Sequence, residues 1–171
     1  MITPAQPTRR SFLKGALRSP DHTLMRPPQA VDAFPTLCDG CTKCETACPE
    51  NIIVMGKDRQ PVIDFTHGLC TFCSECANAC PTGALDPLLD LDWNWKPAIS
   101  QTCFSQIGIT CRSCEDACDQ CAIRFKLGLG GRSEPQIDFD SCSGCGACAH
   151  VCPANAVTFK QSQPEISEAI T

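Results

Sequence analysis

The run Cys70-Thr71-Phe72-Cys73-Ser74-Glu75-Cys76-Ala77-Asn78-Ala79-Cys80-Pro81 sets three thiols two residues apart, a fourth three residues further on, and a proline behind it. Three thiolates on one short loop each reach a different iron of a single [4Fe–4S] cubane. The fourth, on the following turn of helix, points away and ligates the other cluster of a pair. The same spacing stands at Cys38, Cys41, Cys44 and Cys48-Pro49, and again at Cys142, Cys145, Cys148 and Cys152-Pro153.

A fourth copy is irregular. Its cysteines are Cys103, Cys111, Cys114, Cys118 and Cys121. Read from its end, Cys111, Cys114 and Cys118 take the second, third and fourth ligand places. Cys103 is then the first, pushed back by an insertion of five residues, and Asp119 stands where the proline is expected. Sixteen cysteines are thereby placed and Cys121 is left over, at the position held by Asn51, Gly83 and Asn155 in the other repeats. It reads as a small free thiol in a loop. The alternatives are a substitute ligand for Cys118 or Cys103, or a redox thiol.

If ligation crosses between adjacent repeats, Cys38, Cys41, Cys44 and Cys80 hold one cluster, and Cys70, Cys73, Cys76 and Cys48 hold the second. Cys103, Cys111, Cys114 and Cys152 hold the third, and Cys142, Cys145, Cys148 and Cys118 the fourth. A pairing of the first repeat with the fourth stays open. Clusters whose irons are all held by protein leave no open position for substrate, so outer-sphere electron transfer is the chemistry expected.

The elements that position these loops form a fourfold repeat with a period near 30 to 40 residues. Each unit has an apolar strand, a cysteine loop, a short helical turn and a second apolar stretch. Leading strands are expected at 61–65 and 135–139, where Val-Ile-Asp-Phe and Gln-Ile-Asp-Phe nearly match. Trailing strands are expected at 52–55, 84–85, 122–125 and 156–159. Gly68, Gly83, Gly144 and Gly146 suit loops that approach a cluster closely. The fold class expected is small α+β: tandem two-cluster ferredoxin-like modules with short hairpins and helical turns, stabilised by their clusters. The boundaries expected are a flexible basic arm over 1–36, a first module over 37–90, a second module with the irregular motif over 91–160, and a tail over 161–171.

Totals agree with this plan. Cysteine supplies 17 of 171 residues, which implies disulfides or metal. Disulfides need an oxidising compartment, and an odd count leaves one thiol over, so regular spacing decides for metal. Aromatics are 6% and tyrosine is absent, so the apolar core is small and the clusters serve as staples. The apo chain is expected to be largely unfolded. Net charge is −5, but residues 1–26 carry +4 and the remainder −9. An acidic body argues against nucleic acid. The segment Asp90-Leu91-Asp92-Trp93-Asn94-Trp95-Lys96 holds both tryptophans, read as packing over the joint between modules or as a partner anchor. His22, His67 and His150 have no metal-like spacing. Gly128 to Gly131 lacks the dinucleotide-binding order, and no nucleophile–base pair is marked out, so an independent enzyme is not expected.

Within the arm, Thr8-Arg9-Arg10-Ser11-Phe12-Leu13-Lys14 resembles a twin-arginine export motif. An export signal needs an apolar core of 7 to 15 residues next. Here Lys14, Arg18, Pro20, Asp21 and His22 interrupt it. The arm therefore reads as a mimic or docking element, with Arg9, Arg10, Phe12, Leu13 and Lys14 as candidate partner-binding residues. No run of 18 apolar residues occurs.

Taken together, the arm through Gly15, the regular motifs from Cys38 and Cys70, the displaced motif from Cys103 and the closing motif from Cys142 resemble the NapF family of ferredoxin-type proteins. That family belongs to the gene clusters of periplasmic nitrate reductase. The resemblance covers almost the whole chain and implies four [4Fe–4S] clusters and a cytoplasmic protein. It further implies that the chain binds the precursor of NapA, the molybdenum-containing catalytic subunit, and assists its maturation before export, in building or reducing its cluster. An electron-carrying subunit of a redox complex is the second reading, and a module in which clusters are only staples the third.

Overall fold

The structure, a computed structural model, describes residues 24–91 and 93–161. The segment Arg9 to Lys14 and the tail beyond residue 161 lie outside the described residues. In chain order the elements are α1 (Phe34–Leu37), α2 (Lys43–Ala47), β1 (Ile53–Met55), β2 (Pro61–Ile63), α3 (Glu75–Asn78) and β3 (Trp95–Ile99). Then follow α4 (Ser113–Asp116), β4 (Ile123–Leu127), a single 3-10 turn (Leu129–Gly131), β5 (Ser133–Ile137), α5 (Ala147–His150) and β6 (Val157–Gln161). Helices of four or five residues are too short to stand alone. Here α2, α3, α4 and α5 each carry a cysteine: Cys44, Cys76, Cys114 and Cys148.

Among the described residues three antiparallel ribbons result: β1 with β2, β3 with β6, and β4 with β5. In each module the trailing strand of one repeat pairs with the leading strand of the next, with Ile53 facing Ile63 in one and Ile123 facing Ile137 in the other. Asp64 and Asp138 follow these ribbons and turn the chain the same way. Their backbone N–H groups donate to Ile52 and Ala122 carbonyls. Their carboxylates accept from the Thr66 and Asp140 N–H groups, at 2.9 and 3.1 Å, the local bond that makes Asp a turn residue. The shared Ile-Asp-Phe sequence thus becomes a shared corner. Phe65 is buried and Phe139 is 54% exposed, so the duplication ends there.

Two expectations change. The Trp-Asn-Trp-Lys segment runs directly into a five-residue strand, β3, whose Ile99 faces Val157 and whose Trp95 faces Gln161. Pro97 had masked it; with its missing N–H the proline is tolerated because β3 has a partner on one side only. In the first module the equivalent ribbon shrinks to one bridge, Ala30 opposite Leu85. Here residues 24–36, the described end of the stretch expected as a flexible arm, are packed instead. Pro27 is fully enclosed and Phe34 is 3% exposed. The Val31 N–H donates to the Ala84 carbonyl and the Asp86 N–H to that of Gln29. Pro28 and Gln29 turn the chain, Gln29 in the left-handed region at φ +64°, and deliver Ala30 to its bridge.

One apolar cluster, Ile52, Ile53, Phe65, Trp93 and Trp95, sits where the modules meet. Trp93 stands edge-on to Phe65 at 6.1 Å and to Phe72 at 6.0 Å. Phe65 also tilts against Phe159 of the second module at 4.9 Å. The tryptophans are buried at that joint rather than displayed. A smaller cluster of Phe34, Ala77, Ala84 and Leu85 backs the first module. Cys44 and Cys76 pack against both clusters, so this core wraps around sulfur.

Candidate metal centres

Between the first and second cysteine of each regular loop, one residue adopts the left-handed region: Gly40 at φ +71°, Phe72 at +56° and Gly144 at +80°. A second left-handed residue, Thr42, Ser74 or Gly146, precedes the helix that carries the third cysteine. The paired reversals coil the backbone so that three thiols turn inward. They also aim N–H groups at sulfur: Gly40 donates to Cys38, Phe72 to Cys70 and Gly144 to Cys142. Phe72 accepts a conformation costly for a bulky residue, and its ring is held by Trp93.

The fourth cysteine of each group arrives from the neighbouring repeat. Cys38, Cys41, Cys44 and Cys80 line one cavity. Cys48, Cys70, Cys73 and Cys76 line another. Cys103, Cys111, Cys114 and Cys152 line a third, and Cys118, Cys142, Cys145 and Cys148 a fourth. The remaining walls are apolar, for example Ile52 and Phe72, or Ile123 and Phe159. Leu85 N–H donates to Cys80 Sγ at 3.4 Å, and Ala156 N–H to Cys152 Sγ at 3.3 Å, the same bond in both modules.

All seventeen cysteines are unpaired thiols. Among the described residues no three side chains converge tightly enough for a single metal ion. Four sulfurs around one apolar cavity, with N–H groups directed at them, instead fit a polynuclear centre that spaces its ligands apart. Burial pushes Cys70 and Cys148 up to about 12 and Cys44, Cys76 and Cys114 up to about 11, with neighbouring thiols adding to the shift. Cys80 goes the other way: burial opposes it, but N–H groups from Leu85, Thr82 and Ala84 and the Thr82 hydroxyl hold it below the ordinary thiol value. Crowded, desolvated thiols stay protonated until a cation supplies the countercharge.

The cavities form a row. Cys44 and Cys76 feel one another within the first module, and Cys114 and Cys148 within the second. Between modules, the loops of Cys70 and Cys145 touch through a backbone hydrogen bond of 2.7 Å. The order along the row is first, second, fourth, third.

The irregular repeat is held by a residue the cysteine spacing does not reveal. Ser105, 1% exposed, lies in the insertion. Its hydroxyl donates to the Cys111 carbonyl at 2.9 Å and meets the Ser133 hydroxyl at 2.7 Å, while its carbonyl accepts from the Ser133 N–H. The longer path from Cys103 to Cys111 is thereby folded back to the cavity. Cys121 is exposed and lines none of the four cavities. Its φ is +50°, matching Asn51 at +54°, Gly83 at +69° and Asn155 at +47°. The repeat places a left-handed turn residue there, and cysteine occupies it.

A 4Fe-4S dicluster domain matches residues 37–84 and 109–156. The ferredoxin-type protein NapF of Haemophilus influenzae is 41% identical over 162 residues, covering 88% of this chain and 92% of that protein. The ferredoxin-type protein NapF of Escherichia coli K12 is 37% identical over 153 residues, covering 88% and 93%. A shorter match, 63% identical over 27 residues, covers 16% of this chain and 18% of NADH-quinone oxidoreductase subunit I 1 of Koribacter versatilis. Two dicluster domains provide for up to four [4Fe–4S] clusters. With both relatives matched along nearly their whole length, the chain belongs to the NapF family of ferredoxin-type iron–sulfur proteins.

Proposed function

We propose that this chain is a cytoplasmic iron–sulfur accessory protein that binds the precursor of a NapA-type nitrate reductase subunit and assists its maturation before export. The observation that carries the reading is the family membership joined to a twin-arginine-like segment, Arg9 to Lys14, that lacks the apolar core of an export signal. Among the described residues no helix is long and apolar enough to cross a membrane. In this reading Arg9, Arg10, Phe12, Leu13 and Lys14 belong to the docking segment, and residues 37–90 and 91–160 are the two cluster-bearing modules.

Each quartet that lines a cavity is assigned one cluster: Cys38, Cys41, Cys44 and Cys80; Cys48, Cys70, Cys73 and Cys76; Cys103, Cys111, Cys114 and Cys152; Cys118, Cys142, Cys145 and Cys148. Bound clusters supply reversible one-electron chemistry. The chain's own residues do the rest. Ile52, Phe72, Ile123 and Phe159 keep water from the sulfurs, and N–H groups from Gly40, Phe72, Gly144, Leu85 and Ala156 stabilise charge on them. With every iron held by protein, the role is that of an electron-carrying accessory, not an enzyme.

The test is co-purification of the anaerobic chain with the NapA-type precursor, with and without its signal segment, and with and without residues 1–23 of this chain. Retention of the precursor and loss of the exported form support the reading. Equal binding of the mature exported enzyme that persists through turnover, with clusters reoxidised by nitrate, would favour the second reading, an electron-transfer subunit. The continuous row of cavities is what gives that second reading its weight.

A further inference from the structure

Lys96 is the residue of the Trp-Asn-Trp-Lys segment that neither the joint nor the docking segment uses. It is half-buried on β3, and its ammonium donates across the loop to the Cys142 carbonyl.

The internal repeat provides the comparison. Ala30 bridges Leu85 in the first module as Ile99 pairs with Val157 in the second. Three residues back from Ile99 stands Lys96, and three back from Ala30 stands Pro27, fully enclosed and uncharged. The place that sets a cation on the Cys142 loop in the second module is thus held by an uncharged proline in the first. The two inner quartets are joined through Cys70 and Cys145.

We propose that Lys96 sets the electronic properties of the fourth quartet, raising the reduction potential of a cluster held by Cys118, Cys142, Cys145 and Cys148 above that of its counterpart on Cys48, Cys70, Cys73 and Cys76. Reduction adds one negative charge, and a fixed cation at the cavity edge favours the more negative state. A half-buried charge is screened less than one in open water. The inference rests on the ligand assignment above and is independent of whether a nitrate reductase precursor is the partner.

The experiment is an anaerobic redox titration of the purified full chain, followed by electron paramagnetic resonance, on wild type, Lys96→Gln and Lys96→Arg. Iron and sulfide are determined on the same samples. Glutamine keeps a donor for the Cys142 carbonyl and removes the charge; arginine keeps both. The expected result is a downward shift of one midpoint potential in Lys96→Gln, three unchanged, and wild-type values in Lys96→Arg. Four unchanged potentials in Lys96→Gln overturn the proposal. An equal shift in both variants, or loss of one cluster from both, also overturns it, because geometry and not charge would then be what Lys96 supplies. Lys96→Met gives the same reading if the glutamine variant loads incompletely. A wild-type chain with fewer than four clusters would sink the ligand assignment instead, and that failure is visible in the iron analysis alone.

Discussion

The Cys70 N–H donates to the carbonyl of Cys145 at 2.7 Å, so the cysteine loops of two separate modules are bonded to each other directly. Around this bond lie Phe65, Trp93, Trp95 and Phe159, a large share of the apolar area in a chain with few aromatics. The joint is consequently part of the core, and its disturbance should be felt by two quartets at once.

Gly146 tests that joint. It sits at φ +87°, and a Cβ there would overlap the Phe65 ring. Gly146→Ala combines overpacking, about 1–3 kcal/mol, with left-handed strain of about 1–2 kcal/mol. Gly83, at φ +69° with open space around it, supplies the strain alone. Thermal unfolding of the anaerobic proteins should place the Gly146 variant well below the Gly83→Ala variant. Equal melting temperatures would mean that Phe65 has room to move and that the joint is looser than its contacts suggest.

Ser105 should matter to one quartet only. Removing its hydroxyl leaves the Cys111 carbonyl and the Ser133 hydroxyl without that partner, at about 1–3 kcal/mol. Ser105→Ala should speed the loss of about a quarter of the visible cluster absorbance in air, with the rest bleaching at the wild-type rate. Uniform bleaching would show that the insertion needs no such anchor.

Cys121 occupies a left-handed position that the other repeats give to asparagine or glycine. Cys121→Asn should keep the full iron content and gain up to about 1 kcal/mol in stability. A missing cluster in this variant would instead make Cys121 a ligand.

Loading should depend on pH. Cys70 and Cys148 are pushed to about 12 by burial, whereas ligands to iron are thiolates. Binding therefore releases protons, and uptake strengthens as pH rises toward those values and weakens as it falls, about tenfold per pH unit for each proton released. Iron uptake by apo protein between pH 6.5 and 8.5, with calorimetry in two buffers of different ionisation enthalpy, checks both the direction and the proton count.

Much of the plan could be read without coordinates because cysteine spacing acts locally. Two intervening residues leave room for one reversal of the backbone, and Gly144 announces it. The repeated Ile-Asp-Phe announces the duplication, but the strands expected to run through it stop at Ile63 and Ile137, because each aspartate bonds an N–H two residues on and turns the chain. What escaped was non-local. The strand at Trp95–Ile99 has a proline at its centre and finds its partner at the far end of the chain. The segment around Ala30 is rich in proline, and only Ala84 and Leu85 give it a place to lie. Ser105 looks like any loop serine until Ser133 is brought beside it. Lys96 looks like a surface charge until the Cys142 loop folds over it.

The swapped fourth cysteine also has a bearing on synthesis at the ribosome. The cavity begun by Cys38 stays open until Cys80 has emerged, and by then Cys48, Cys70, Cys73 and Cys76 are out as well, so both sites of the leading half become competent together. The half that follows must wait for Cys152, the last sulfur to be translated. A nascent chain stalled between these points would present one completed set of cavities and a set of bare thiols open to oxidation.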